Sequence, residues 1–213
     1  PAPPFRLANA TEAFRRRPLR LANLGYFGHM WELYAMWAWI GTFLGASFAL
    51  RYGASPPIGA SIATFLVIAS GAIGCLAGGW AADRIGRTAV TIASLAVSGT
   101  CALIMGFAYG GPAWLILLIG IIWGITVVSD SAQFSASVTE LSDRTLVGTM
   151  LTVQTCIGFL LTLVTIHVMP YVVSGFGWTY AFMVLAIGPA IGIWAMARLR
   201  ADPASTSLAG GRR

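Results

Sequence analysis

Residues 145–197 read TLVGTMLTVQTCIGFLLTLVTIHVMPYVVSGFGWTYAFMVLAIGPAIGIWAMA, 53 residues between Arg144 and Arg198 without one Asp, Glu, Lys or Arg. About 20 apolar residues cross a bilayer as a helix. This run therefore holds two crossings and needs a turn, which Pro170 and then Ser174-Gly175-Phe176-Gly177 supply. Working outward, 42 uncharged residues separate Arg87 from Asp130, broken at Tyr109-Gly110-Gly111-Pro112, and 31 separate Arg51 from Asp83. Those gaps hold two spans and one. Residues from Leu21 to Leu50 hold another, interrupted by His29 and Glu32. The predicted spans are 21–50, 57–80, 88–108, 112–138, 146–170 and 178–198. Open strand edges are not tolerated in lipid, and no alternating ten-residue pattern occurs, so the fold class is an all-α membrane protein of six transmembrane helices.

Composition agrees. The chain has 213 residues, 57% apolar and 9% charged, against about 25% charged in an average soluble domain. Thirteen basic and seven acidic residues cannot solvate a globule of this size, which excludes a soluble protein. All the basic residues are arginine. Arg6, Arg15, Arg16, Arg17 and Arg20 precede span one, Arg84 and Arg87 lie between spans two and three, and Arg144 lies between four and five. Arg198, Arg200, Arg212 and Arg213 follow span six, leaving Arg51 alone on the opposite side. The positive-inside bias makes the arginine-rich side cytoplasmic, with both termini there. The formal charge of +6 is thus a topology signal, with attraction to anionic membrane lipid, and no nucleic-acid partner is expected. Cys75, Cys101 and Cys156 fall inside spans two, three and five without ligand spacing. They read as buried small residues, with no metal and no cofactor expected.

Between spans two and three stands Gly79-Trp80-Ala81-Ala82-Asp83-Arg84-Ile85-Gly86-Arg87. Gly79 lets two helix ends approach, Gly86 allows a sharp turn, and Asp83 can accept from a helix N-terminus or an arginine. The pattern Gly-x-x-x-Asp-Arg-x-Gly-Arg, in this loop of a six-helix unit, resembles the signature loop of the major facilitator superfamily of secondary transporters. Every position of the pattern is filled. Thr139-Glu140-Leu141-Ser142-Asp143-Arg144, followed by Gly148-Thr149, is similar to the acidic-then-basic loop many members carry between spans four and five. It departs in having Ser142 where a proline is common and no arginine directly before Gly148.

The resemblance covers residues 20–200. It implies two six-helix halves related by an axis along the membrane normal, of which this chain is one. The basic, proline-containing start is similar to the linker that joins the halves, and Tyr26 to Tyr34 look like the seventh helix of some bacterial members. The implied protein is a C-terminal half, spans seven to twelve, in a bacterial inner membrane. Its implied partners are the missing N-terminal half or a second copy, a small-molecule substrate and protons. A first residue of Pro1 rather than Met fits a chain that was processed or cut from something longer. Residues 1–20 then read as a basic linker, 21–200 as the transmembrane half-domain and 201–213 as a disordered cytoplasmic tail. The resemblance also implies that the loop is a latch stabilising one state of the rocking cycle. Its members here are Gly79, Asp83, Arg84, Gly86 and Arg87, with Glu140, Asp143 and Arg144.

Ionisable groups within lipid are costly enough to be functional candidates by default. His29 and Glu32, three apart, share a helix face and can hydrogen-bond, so they read either as a proton-carrying pair or as interhelical polar glue. Asp130, with Thr126, Gln133 and Ser137 on a similar face, either lines a cavity or joins the latch through Arg84 or Arg87. The latch is the preferred reading. The Gln154 amide meets substrate or another helix. His167 reads as an interfacial histidine. An enzyme is not expected: there is no His-Glu-x-x-His, no Gly-x-Ser-x-Gly, and only two histidines. The remaining alternative to a carrier is a six-helix module that homodimerises or assembles with a partner without transporting.

Overall fold

A computed structural model describes residues 7–212; Pro1 to Arg6 and Arg213, including two arginines of the topology count, lie outside the described residues. Among the described residues there are helices and turns and no strand. Six helices are long and apolar enough to cross a membrane: span one Arg17–Tyr52, span two Ala60–Ile85, span three Arg87–Ala108, span four Ala113–Leu141, span five Val147–Phe176 and span six Trp178–Arg200. Span five runs through Pro170 to Phe176, so the turn falls at Gly177, where φ is 72°. Proline removes one backbone donor, and a lipid-facing helix end tolerates that loss better than an unfolded turn within the bilayer.

Span one is the organising helix. It packs on spans six and five and on parts of two and four, while span three packs on four and six. Spans five and six share little beyond the turn that joins them, which leaves a cleft between them floored by span one. The interior divides into two apolar clusters. One, around Met36, Phe43, Trp123 and Phe182, fills the half away from the arginine-rich face. The other, around Leu19, Tyr26, Phe134, Met196 and Leu208, fills the half beneath it. Between spans two and four the small residues decide the spacing: a Cβ at Gly74 or Gly78 would overlap the carbonyls of Ile125 or Ser129.

Span four is not continuous. Its helix stops at Ser129 and restarts at Ser131, with Asp130 at φ −98° and ψ −12°. Before the break, Thr126 and Ser129 donate their hydroxyls back to the carbonyls of Ile122 and Ile125 at 2.8 and 2.7 Å. Such back-bonding competes with the helix ladder and bends it.

The described residues continue in helices and turns beyond the six spans. Leu7–Arg15 is a helix, and span one begins at Arg17, inside the segment read as linker. The segment read as a disordered tail carries 3-10 turns over 203–207, capped where the Asp202 carboxylate accepts from the Ala204 N–H at 3.0 Å, then leaves helical geometry at Leu208, which is fully buried. One apolar side chain with a socket is enough to fix so short a segment. The cysteine reading is also corrected. Only Cys101 is buried, whereas Cys75 and Cys156 are exposed on spans two and five. Those two spans have the narrowest buried stripes, 28% and 22% of their most apolar stretches, so most of that surface faces outward.

Candidate functional site

Two groups of polar residues stand out, one in the interior and one on the arginine-rich face. In the interior, Glu32 is wholly buried. One carboxylate oxygen accepts from the indole N–H of Trp123 on span four at 2.8 Å, the other from the Ser98 hydroxyl on span three at 2.9 Å. Both donors are neutral. His29, 2% exposed, turns elsewhere: its Nδ1 lies 3.0 Å from an oxygen of Asp130, itself 1% exposed. This contact has ion-pair distance without hydrogen-bond alignment. The other ring nitrogen pairs with the Ser131 hydroxyl at 3.0 Å, and the rings of Phe134 and Tyr26 flank the imidazole.

Two sequence expectations change here. His29 and Glu32 do not bond to each other, because three residues of helix also turn a side chain by about 60° around the axis, enough to aim the two heads at different neighbours. Asp130 does not join the latch. It sits at the break of span four, and its carboxylate goes to the imidazole of span one rather than to Arg84 or Arg87. Gln154, on the buried stripe of span five, is fully enclosed, and neither amide atom is hydrogen-bonded among the described residues.

On the arginine-rich face, Gly86 takes φ 97° and swings the chain from span two into span three, so Arg87 opens the new helix facing span four. Its guanidinium makes a fork to Glu140, Nε to one oxygen at 2.9 Å and Nη2 to the other at 2.6 Å, while Nη1 donates to the side-chain amide oxygen Oε1 of Gln133 at 2.8 Å. Planar bidentate geometry is what distinguishes arginine from a point charge. Gln133, a cavity candidate on the same face as Asp130, thus pairs with the signature-loop residue Arg87. The same Glu140 carboxylate accepts the backbone N–H of Ala209 at 3.0 Å. The ordered tail is therefore the third arm of this junction, and nothing in the local sequence around Ala209 signals it.

The other latch candidates spread around this centre. The Asp83 carboxylate is exposed and makes no hydrogen bond or ion pair among the described residues, while its backbone carbonyl accepts from Arg212. Arg84 folds back over the Trp80 ring at 3.8 Å and donates to the Trp80 carbonyl. Asp143 meets Arg16 at 3.5 Å, with both side chains largely in solvent. Arg144 is exposed, and a Cβ at Gly79 would meet nothing. His167 is exposed and bonds to the Leu163 carbonyl of its own helix. Sequence reasoning missed Ser98, Trp123 and Ser131. A serine or tryptophan in an apolar run gives no sign of its partner until helices are placed side by side.

Six membrane-length helices, with buried acids inside and a charged loop on one face, are the architecture of an integral membrane protein. The sequence profile of the Major Facilitator Superfamily matches residues 23–213, nearly the whole chain. The chain belongs to that superfamily, whose members are membrane transporters rather than enzymes. No curated protein matches the chain.

Proposed function

We propose that the chain is the C-terminal six-helix half of a secondary carrier that moves a small solute by alternating access, coupled to protons. The observation that carries the reading is the pair of carboxylates within the bundle, Glu32 and Asp130, neither of which meets an arginine. A buried acid held by neutral donors or by an imidazole can take up and release a proton without breaking a fixed ion pair. Asp130 also sits at the break of span four, so its protonation bears on a helix that is already interrupted. The Gln154 amide is the neutral group offered to a substrate. In this reading the protein lies in a bacterial inner membrane with the arginine-rich face cytoplasmic, and the Arg87–Glu140 junction holds that face closed in one state of the cycle.

The test is transport by the full-length protein in sealed vesicles. Glu32→Gln and Asp130→Asn are expected to abolish proton-driven uptake while leaving substrate counterflow. Unchanged driven uptake in both variants defeats the coupling assignment.

A partner bundle is part of the proposal, since spans two and five leave most of their apolar surface outward. The partner is an N-terminal half or a second copy. Cys75 and Cys156 stand on these spans at similar depth, about 15 and 14 Å from the arginine-rich ends at 1.5 Å per residue. If two copies pair through these faces, mild oxidation joins Cys75 of one to Cys156 of the other, and a chain that stays monomeric on the gel counts against the dimer.

A further inference from the structure

The cleft between spans five and six is a groove of about 380 Å³, floored by Leu24, Phe27 and Trp31 of span one and walled by Leu161, Ile187 and Ile191. Its lining is almost purely apolar, and its size falls in the range of small-molecule sites. The groove exists because two helices touch backbone to backbone at its floor. Gly28 and Gly188 face each other so closely that a Cβ on either would overlap the carbonyl of the other. Spans one and six are thereby drawn together without side chains at the crossing, while span five stays apart from span six.

The groove has a charged end. On span one, Arg20, Leu24, Phe27 and Trp31 follow spacings of four, three and four, which is one helix face. On span six, Ile187, Ile191, Trp194 and Arg198 repeat those spacings in the opposite chain direction. Gly28 lies against Gly188 and Gly192, and Gly25 against Met196, so the antiparallel register puts Arg20 level with Arg198. Both arginines are exposed, and neither makes an ion pair among the described residues; Arg198 only stacks toward Trp194, at 5.8 Å. At the same mouth Phe14, on the leading helix, stacks with Phe27 at 6.3 Å. An apolar slot along the membrane normal thus ends in two unpaired cations and two aromatic rings at the level of the arginine-rich surface.

We infer that this cleft is a binding site for an anionic phospholipid of the leaflet on the arginine-rich side. One acyl chain lies in the groove against Phe27, Trp31 and Ile191, and the phosphate sits between Arg20 and Arg198. Charge complementarity selects the occupant. A transmembrane helix from a partner or a second copy would fill the apolar slot but leave two arginines facing nothing. A free phosphate would satisfy the arginines but leave the slot unfilled. A lipid answers to both.

The test is a photocrosslinking amino acid placed at Ile191 in the full-length protein. The protein is reconstituted in equimolar phosphatidylglycerol and phosphatidylcholine vesicles, and adducts are identified by mass spectrometry. Leu103, exposed on span three away from the cleft, is the control position. The expected result is enrichment of phosphatidylglycerol adducts at Ile191 over Leu103 by roughly fivefold per arginine. Arg20→Gln with Arg198→Gln removes the enrichment, and Arg20→Lys with Arg198→Lys restores it, which separates charge from any effect on folding. Equal lipid ratios at the two positions, enrichment that survives the glutamine pair, or adducts to protein instead of lipid would each overturn the assignment.

Discussion

The interior acids and the arginine-paired acids of the arginine-rich face are built on opposite principles. Glu140 receives a bidentate guanidinium and a backbone N–H, and Asp143 and Asp202 stand 3.5 and 3.6 Å from Arg16 and Arg17. Glu32 and Asp130, in the bundle, have an indole, one hydroxyl and an imidazole instead. The difference is one of reversibility. A carboxylate forked to arginine is fixed as an anion, and neutralising it strands the cation. A carboxylate among neutral or titratable partners can change its charge state with the bundle intact. The face is suited to holding a conformation, the interior to changing one.

The contrast can be broken most directly by exchanging readouts. Asp130→Asn in the full-length protein is expected to lower the ratio of driven uptake to counterflow about tenfold or more, the scale of a typical coupling free energy. Arg87→Gln should slow both and leave their ratio unchanged. If Arg87→Gln changes the ratio instead, the division between face and interior fails.

The next effect is on stability. Ending the chain after Asp202 removes the buried Leu208 and the N–H bond to Glu140, and is expected to lower unfolding stability in detergent by about 2–3 kcal/mol. No change would mean that the tail rests on the face without supporting it. A double-mutant cycle of Arg87→Gln with Glu140→Gln should return a coupling of about 1–2 kcal/mol, while Arg16→Gln with Asp143→Asn should give under about 0.5 kcal/mol because that pair is solvated. Equal values would show that burial does not grade the face network. The smallest effect belongs to Asp83→Asn, within about 0.5 kcal/mol of the parent in stability, since the carboxylate is exposed. It should nonetheless slow transport without altering substrate preference; an altered preference would place the loop on the substrate path.

Much of the fold was legible before any helix was placed. Runs of 53, 42 and 31 uncharged residues give five spans, and the length of a bilayer crossing leaves little freedom in dividing them. The loop around Asp83 and Arg87 carried the family because its residues are consecutive. The site was less legible. Arg87 opens span three, Gln133 and Glu140 lie 46 and 53 positions further on in the last helix of span four, and Ala209 comes from near the end of the chain. His29 and Glu32, three apart, looked like one pair and belong to two.

By itself the sequence determined the solvent, the number and approximate ends of the spans, and the superfamily, because each of these depends on residues close together in the chain. Tertiary structure alone decided the partners: imidazole for Asp130, indole for Glu32, the tail for Glu140, and the empty flank of span five that opens a groove toward Arg20 and Arg198. A side chain's partner depends on how its helix is rotated and where a neighbour bends. In a bundle of uniformly apolar helices, those angles come from contacts such as Gly28 on Gly188 and the break at Asp130, which no local pattern reports.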